Sequence, residues 1–181
     1  DGDTGARTIF IEGLDANYDQ ITETVTLNGT GSVNTTTHTN WLRVNRAYVV
    51  SAGSSETNEG IITMTVGGTT VATIPVEKGQ TQQAIYTIPN GYKGYVTNLS
   101  GAIVKGTGSA TSADIQYYSR KNGVIRLHQE ISLDSSGTSE FNKTYPIPLG
   151  FEEKTDLYAN ALVGANNTSV FVNFGIIIAK Q

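Results

Sequence analysis

Apolar residues recur at every second position along most of this chain, the period of a pleated strand with one buried face. In 21–27, Ile21, Val25 and Leu27 share a face while Thr22, Thr24 and Thr26 take the other. Glu23 interrupts the apolar side, which places it near a strand edge. In 124–133, Ile125, Leu127, Ile131 and Leu133 line one face, and Arg126, His128 and Glu130 the opposite one. In 168–178, Val170, Val172, Phe174, Ile176 and Ile178 form an apolar row. Phe171, Asn173, Gly175 and Ile177 on the other side are half apolar, so this strand is expected to be central. Ile125, Leu127, Ile131 and Val172 are the expected core residues.

The pattern predicts strands at 7–12, 21–27, 41–51, 60–66, 70–76, 82–88, 94–104, 113–119, 124–133, 143–149, 155–163 and 168–179. Gly67-Gly68 and Asn122-Gly123 are hairpin signals, because both central positions of a primed turn need positive φ. Asn90-Gly91 marks a further turn, and 53–59 a longer surface loop. The segment 151–163 contains Glu, Leu and Ala and has some helical character. Its alternating Thr155, Leu157, Ala159, Ala161 and Val163 favour a strand. No internal repeat or linker divides the chain. The expected fold is all-β: one domain over 1–181, a two-sheet antiparallel sandwich of jelly-roll-like form.

Composition narrows the function. The chain has 181 residues, enough for one domain with a sizeable core, and no cysteine, which removes disulfides and thiol chemistry. A net charge of −4 with scattered Lys and Arg, densest at Arg120-Lys121, argues against nucleic-acid binding. No apolar run is long enough for a spanning helix, so no membrane is expected. The first residue is Asp1 and the only methionine is Met64, so processing or upstream residues are expected.

Candidate chemistry is sparse. A Ser-His-Asp site needs an oriented histidine. Of the two histidines, His38 lies in the polar tract 34–40, expected to be an exposed loop, and His128 on a charged strand face. The stretch Asp15-Ala16-Asn17-Tyr18-Asp19 begins like a calcium loop. That template wants Gly at its sixth position and Glu at its twelfth, where this chain has Gln20 and Thr26. A turn closed by Asx side chains is the simpler reading. The terminus Asp1-Gly2-Asp3-Thr4-Gly5 resembles a short acidic turn and reads as a mobile end. Glu152, Glu153 and Asp156 read as a polar turn after Pro146-Ile147-Pro148, not as a glycosidase pair. Asn-x-Ser/Thr triplets at Asn28, Asn34, Asn98, Asn142, Asn166 and Asn167 are expected by chance in a Thr-rich chain. No catalytic, cofactor-binding or metal-binding residue is assigned. Trp41, Tyr92, Tyr95, Tyr117 and Tyr118 are the candidate contact aromatics, with packing in the core or at its rim as the plainer role.

Several blocks of the chain carry a resemblance. They include Thr4-Gly5-Ala6-Arg7-Thr8-Ile9, Glu12-Gly13-Leu14-Asp15-Ala16-Asn17-Tyr18 and Glu23-Thr24-Val25-Thr26-Leu27-Asn28-Gly29-Thr30. Further blocks are Trp41-Leu42-Arg43-Val44-Asn45-Arg46-Ala47-Tyr48-Val49, the stretch 79–89, the stretch 153–157 and the stretch 165–170. In this order they resemble structural proteins of marine tailed bacteriophages. The segment 102–138 matches least. The resemblance implies a non-enzymatic virion protein, foremost a decoration or head-surface protein on the capsid. Its partners would be the major capsid protein and copies of itself, as a homotrimer. The alternative is a tail or receptor-binding protein whose exposed Tyr and Trp stack on host glycans.

Overall fold

A computed structural model describes residues 4–105, 111–166 and 168–181. Its strands are β1 (Ala6–Asp15), β2 (Gln20–Thr26), β3 (Trp41–Ala52), β4 (Ile62–Val66), β5 (Thr69–Ile74) and β6 (Ile85–Thr87). They continue as β7 (Tyr92–Lys105), β8 (Ser112–Lys121), β9 (Val124–Asp134), β10 (Glu140–Phe151), β11 (Asp156–Val163) and β12 (Thr168–Lys180). Each falls on a segment that alternation predicts, and 156–163 is a strand rather than a helix. All pairings between these strands are antiparallel. Both predicted hairpins form. Gly67 and Gly68 have φ of 58° and 80°, and Asn122 and Gly123 have 53° and 78°, as a primed turn requires. Among the described residues no helix is long and apolar enough to cross a membrane.

The strands divide into two compact units, Asp1–Gln83 and Ala84–Gln181, where one sandwich over 1–181 was expected. No Pro- or Gly-rich linker marks the boundary, so composition does not reveal it. The first unit holds a sheet in the order β2-β1-β3 and the hairpin β4-β5. Its core joins Ile9, Ile11, Val25, Trp41, Val44 and Ala47 to Ala72 and Ile74. Strict alternation would put Trp41 and Val44 on opposite faces of β3. The register against β1 skips Leu42 and Asn45, so each is an extra, bulged residue. Each bulge shifts the pleat by one position, and Trp41, Val44 and Ala47 all turn inward.

The second unit has one sheet in the order β10-β7-β12 and another in the order β6-β11-β8-β9. Both contribute to one apolar cluster: Val96, Leu99 and Ile103 from β7, Ala113, Ile115 and Tyr117 from β8, Leu133 from β9 and Leu157 from β11. Gly101 is closely packed here: a Cβ on it would stand 2.6 Å from the Phe141 ring and 2.7 Å from the end of Ile115, so those side chains would have to shift.

Two expectations are corrected. Among the described residues β12 is an edge strand, paired with β7 alone, although its half-apolar second face suggested a central one. On β9, Leu133 is buried and Ile131 half-buried, but Leu127 is 48% and Ile125 56% exposed. The cause is a bulge. Tyr117 pairs with Gln129 and Tyr118 with Leu127, so His128 is the extra residue and everything before it changes face. Val172, expected in the core, is half-buried and packs against its margin.

The bulge sets a clear expectation for stability. Leu133→Ala should cost about 2–5 kcal/mol, as buried leucines do. Leu127→Ala should cost no more than about 0.5 kcal/mol, as exposed positions do. Chemical denaturation of the two variants, followed by circular dichroism, measures both.

Candidate functional site

The polar clusters of the first unit are closed upon themselves. Glu23 lies on the edge strand β2, is only 7% exposed and points into the tract 34–40. One carboxylate oxygen accepts the backbone N–H of Thr36 at 2.6 Å and of Thr37 at 3.1 Å, and the other accepts that of His38 at 3.0 Å. Burial pushes the carboxyl up, but the hydrogen bonds from Thr36, His38 and Thr37 outweigh it and hold the group below its usual value. The tract is therefore a cradle for an internal anion. His38 itself stands edge-on to Trp41, and its carbonyl accepts the indole N–H at 2.9 Å.

The remaining polar groups behave alike. Asn58 is fully buried and ties the 53–60 loop to the turn after β5. Its amide donates to the carbonyls of Gly60 at 2.8 Å and Pro75 at 2.7 Å, and its oxygen accepts Gly79 N–H at 2.9 Å. Asp15 closes the expected Asx turn by accepting the N–H groups of Asn17 at 2.8 Å and Asp19 at 3.0 Å. Desolvation raises this carboxyl, yet the hydrogen bonds from Asp19, Asn17 and Asn40 together bring it below the ordinary range. Asp1-Gly2-Asp3 and Asn167 lie outside the described residues. Among the described residues no three His, Asp or Glu side chains gather as metal ligands would.

A groove of about 700 Å³ opens between the β2-β1-β3 sheet and the β4-β5 hairpin. Its lining includes Ile11, Leu27, Trp41 and Met64 together with the segments 29–35 and 58–61. Sequence reading missed it, because it depends on how two sheets meet.

In the second unit the β9 bulge brings His128 Nε2 to 2.7 Å from the hydroxyl of the buried Ser119. The imidazole packs edge-on against Phe151, with ring centres 5.0 Å apart. Burial, with Arg126 nearby, lowers its pKa below the usual 6.5. Among the described residues no carboxylate hydrogen-bonds this imidazole, so the pair lacks the orienting member of a triad. The three carboxylates after β10 have separate partners. Glu152 pairs with Lys93 at 3.1 Å, Glu153 accepts Gly91 N–H, and Asp156 accepts both Arg120 at 2.6 Å and Thr87 at 2.7 Å.

The contact aromatics fall into two groups. Trp41 and Tyr117 are buried in the two cores, and the Tyr117 hydroxyl donates to the Ser100 carbonyl at 2.7 Å. Burial raises the Tyr117 pKa well above the usual range for phenols. Tyr92 packs against the margin of the second core. Tyr95 and Tyr118 are half-buried and stand beside exposed apolar residues. Tyr95 pairs across the ladder with Ile177, and Tyr118 with Leu127. Tyr118 also stacks on Tyr158, with centres 5.4 Å apart. Exposed apolar side chains thus occur on both sheets of this unit: Ile125 and Leu127 on one, Phe171 and Ile177 on the other, with Ile147 84% exposed on β10.

Compared with protein-family models, curated proteins and solved structures, the chain matches none of them.

Two pH windows follow. The folded Glu23 carboxyl lies below its unfolded value near 4.5, so its contribution is complete above that pH and is lost as pH falls through and below it. Thermal melts between pH 6 and 3 should show a falling midpoint whose slope is reduced in Glu23→Gln. Glu23→Ala should cost about 1–3 kcal/mol at neutral pH by leaving the amides of 36–38 without their acceptor. The folded His128 pKa lies below its unfolded value near 6.5, so its contribution is full above that pH and declines as pH falls through and below it. His128→Gln should remove that step from the melting curve while leaving the acid limb below pH 4.5.

Proposed function

We propose that this chain is a non-enzymatic structural protein of a tailed-phage virion, acting on the capsid surface as a decoration or head-surface protein. Its work in this reading is adhesion to the major capsid protein and to copies of itself. The observation that carries the reading is the set of exposed apolar residues on both sheets of the second unit: Ile125, Leu127, Ile147, Phe171 and Ile177. Leu127 adjoins the half-buried Tyr118 and Ile177 adjoins the half-buried Tyr95 across their ladders, and apolar residues beside tyrosines suit contact with a protein partner. The inward direction of the polar groups supports the same reading, since Glu23, Asn58 and Asp156 are engaged by partners in their own unit. In this reading the second unit is the jelly-roll-like sandwich, and the cluster shared by its two sheets supports that form.

A tail or receptor-binding role is the second reading. The stacked Tyr118 and Tyr158 favour it, because a part-exposed pair of rings suits a sugar face.

Mass spectrometry and imaging of purified particles test the proposal. The expected result is many symmetry-related copies on the head. Copies at the tail tip alone would favour the second reading. Absence from washed particles would contradict both.

A further inference from the structure

We infer that β12 is an assembly edge, and that its occupant is β12 of a second copy of this chain, paired antiparallel about a two-fold axis at Phe174. The inference deepens the self-contact proposed above and rests on that reading only for its place in a particle.

The argument starts from the edges of the second unit. A bare edge strand offers a row of backbone donors and acceptors, and proteins blunt such edges with proline, charge, bulges or brevity. Three of the four edges are blunted. β6 has only 3 residues, and the part of β11 that it leaves unpaired on that side, 159–163, is itself short. β9 carries the His128 bulge together with Arg126 and Glu130. β10 leaves the ladder between Thr144 and Leu149, where Pro146 and Pro148 flank Ile147. β12 has none of these devices. It runs 13 residues without proline, and its single charge is Lys180 at the very end. Its register shift against β7 is taken up by β7, where Thr97 is the extra residue, so the alternation along β12 is unbroken. Among the described residues, β7 is the only strand that pairs with it.

The order of residues says what fits this edge. A two-fold axis at Phe174 sets Phe171 of each copy opposite Ile177 of the other. These are the two large apolar side chains on the outer face, 60% and 59% exposed. On the same face Asn173 meets Gly175, which leaves room for the amide side chain. Toward the core, Val172 meets Ile176 and Val170 meets Ile178. Every pair keeps its face, because the axis passes through a residue and preserves the pleat. No like charges are set directly opposite, an arrangement that would destabilise the pair. The result is one continuous sheet of six strands, β10-β7-β12 followed by its two-fold copy. Such an interface is isologous, which a three-fold ring of identical head-to-tail contacts is not. The register therefore fits a dimer rather than the expected trimer.

The test uses the 181-residue chain in solution, so a failure here and absence from particles are separate results. Sedimentation equilibrium should give a dimer. Phe171→Glu and Ile177→Lys alone should each weaken it about tenfold or more. The double variant should recover most of that loss, because each new carboxylate then faces the other copy's new ammonium, twice per dimer. Within one chain the two positions are six residues apart on a strand and do not meet, so recovery reports the register between copies. Circular dichroism checks that each variant keeps its strands. A monomer at high concentration, a trimer, a dimer indifferent to the single variants, or a double variant no better than either single one would overturn the inference.

Discussion

A pleated strand buries only one of its two sides, and the cores of this protein depend on where that pleat is shifted. The bulges at Leu42 and Asn45 turn Trp41, Val44 and Ala47 to one side of β3, a spacing that pure alternation forbids. The bulge at His128 does the converse on β9. It keeps Gln129, Ile131 and Leu133 on the inner face and turns Leu127 and Ile125 outward. The same residue explains the polar contact beside it, since the displaced imidazole meets the buried Ser119 hydroxyl. A buried hydroxyl without a partner would cost about 1–3 kcal/mol, so the bulge and the buried serine support each other.

The division of labour between polar and apolar groups follows from this geometry. Glu23, Asn58 and Asp156 are buried, and each is met by donors or acceptors in its own unit. These networks organise loops: the tract 34–40 around Glu23, and the 53–60 loop around Asn58. On the second unit, exposed apolar side chains stand beside half-buried tyrosines, among exposed charged groups such as Arg120, Glu130 and Lys143. A surface of that kind suits broad contact with a protein partner.

Much of the fold was legible along the chain, and the reasons are local. Strand positions follow from alternation, and the turns at Gly67-Gly68 and Asn122-Gly123 follow from their tolerance of positive φ. The Asx turn at Asp15 was legible for the same kind of reason. The misreadings share a different cause. A bulge is set by the pairing of two strands, so the run 124–133 looks regular until β8 lies beside it. Edge position is likewise a property of the sheet, and the half-apolar second face of β12 reads equally as central burial or as an edge awaiting cover. The cradle around Glu23 joins positions 13 to 15 residues apart, and no local pattern announces it. Trp41, a candidate contact aromatic, follows the polar tract 34–40. That tract folds over it and hydrogen-bonds its indole instead.

The central claim is that the apolar surface of the second unit exists to be covered by another protein, first of all by a second copy at β12. Hydrogen exchange of the backbone amides, measured across a dilution series of the chain, tests it most directly. The account predicts that protection of residues 168–180 rises with concentration, while the amides of β8, inside its sheet, stay equally protected throughout. Protection of 168–180 that does not change with concentration would contradict it.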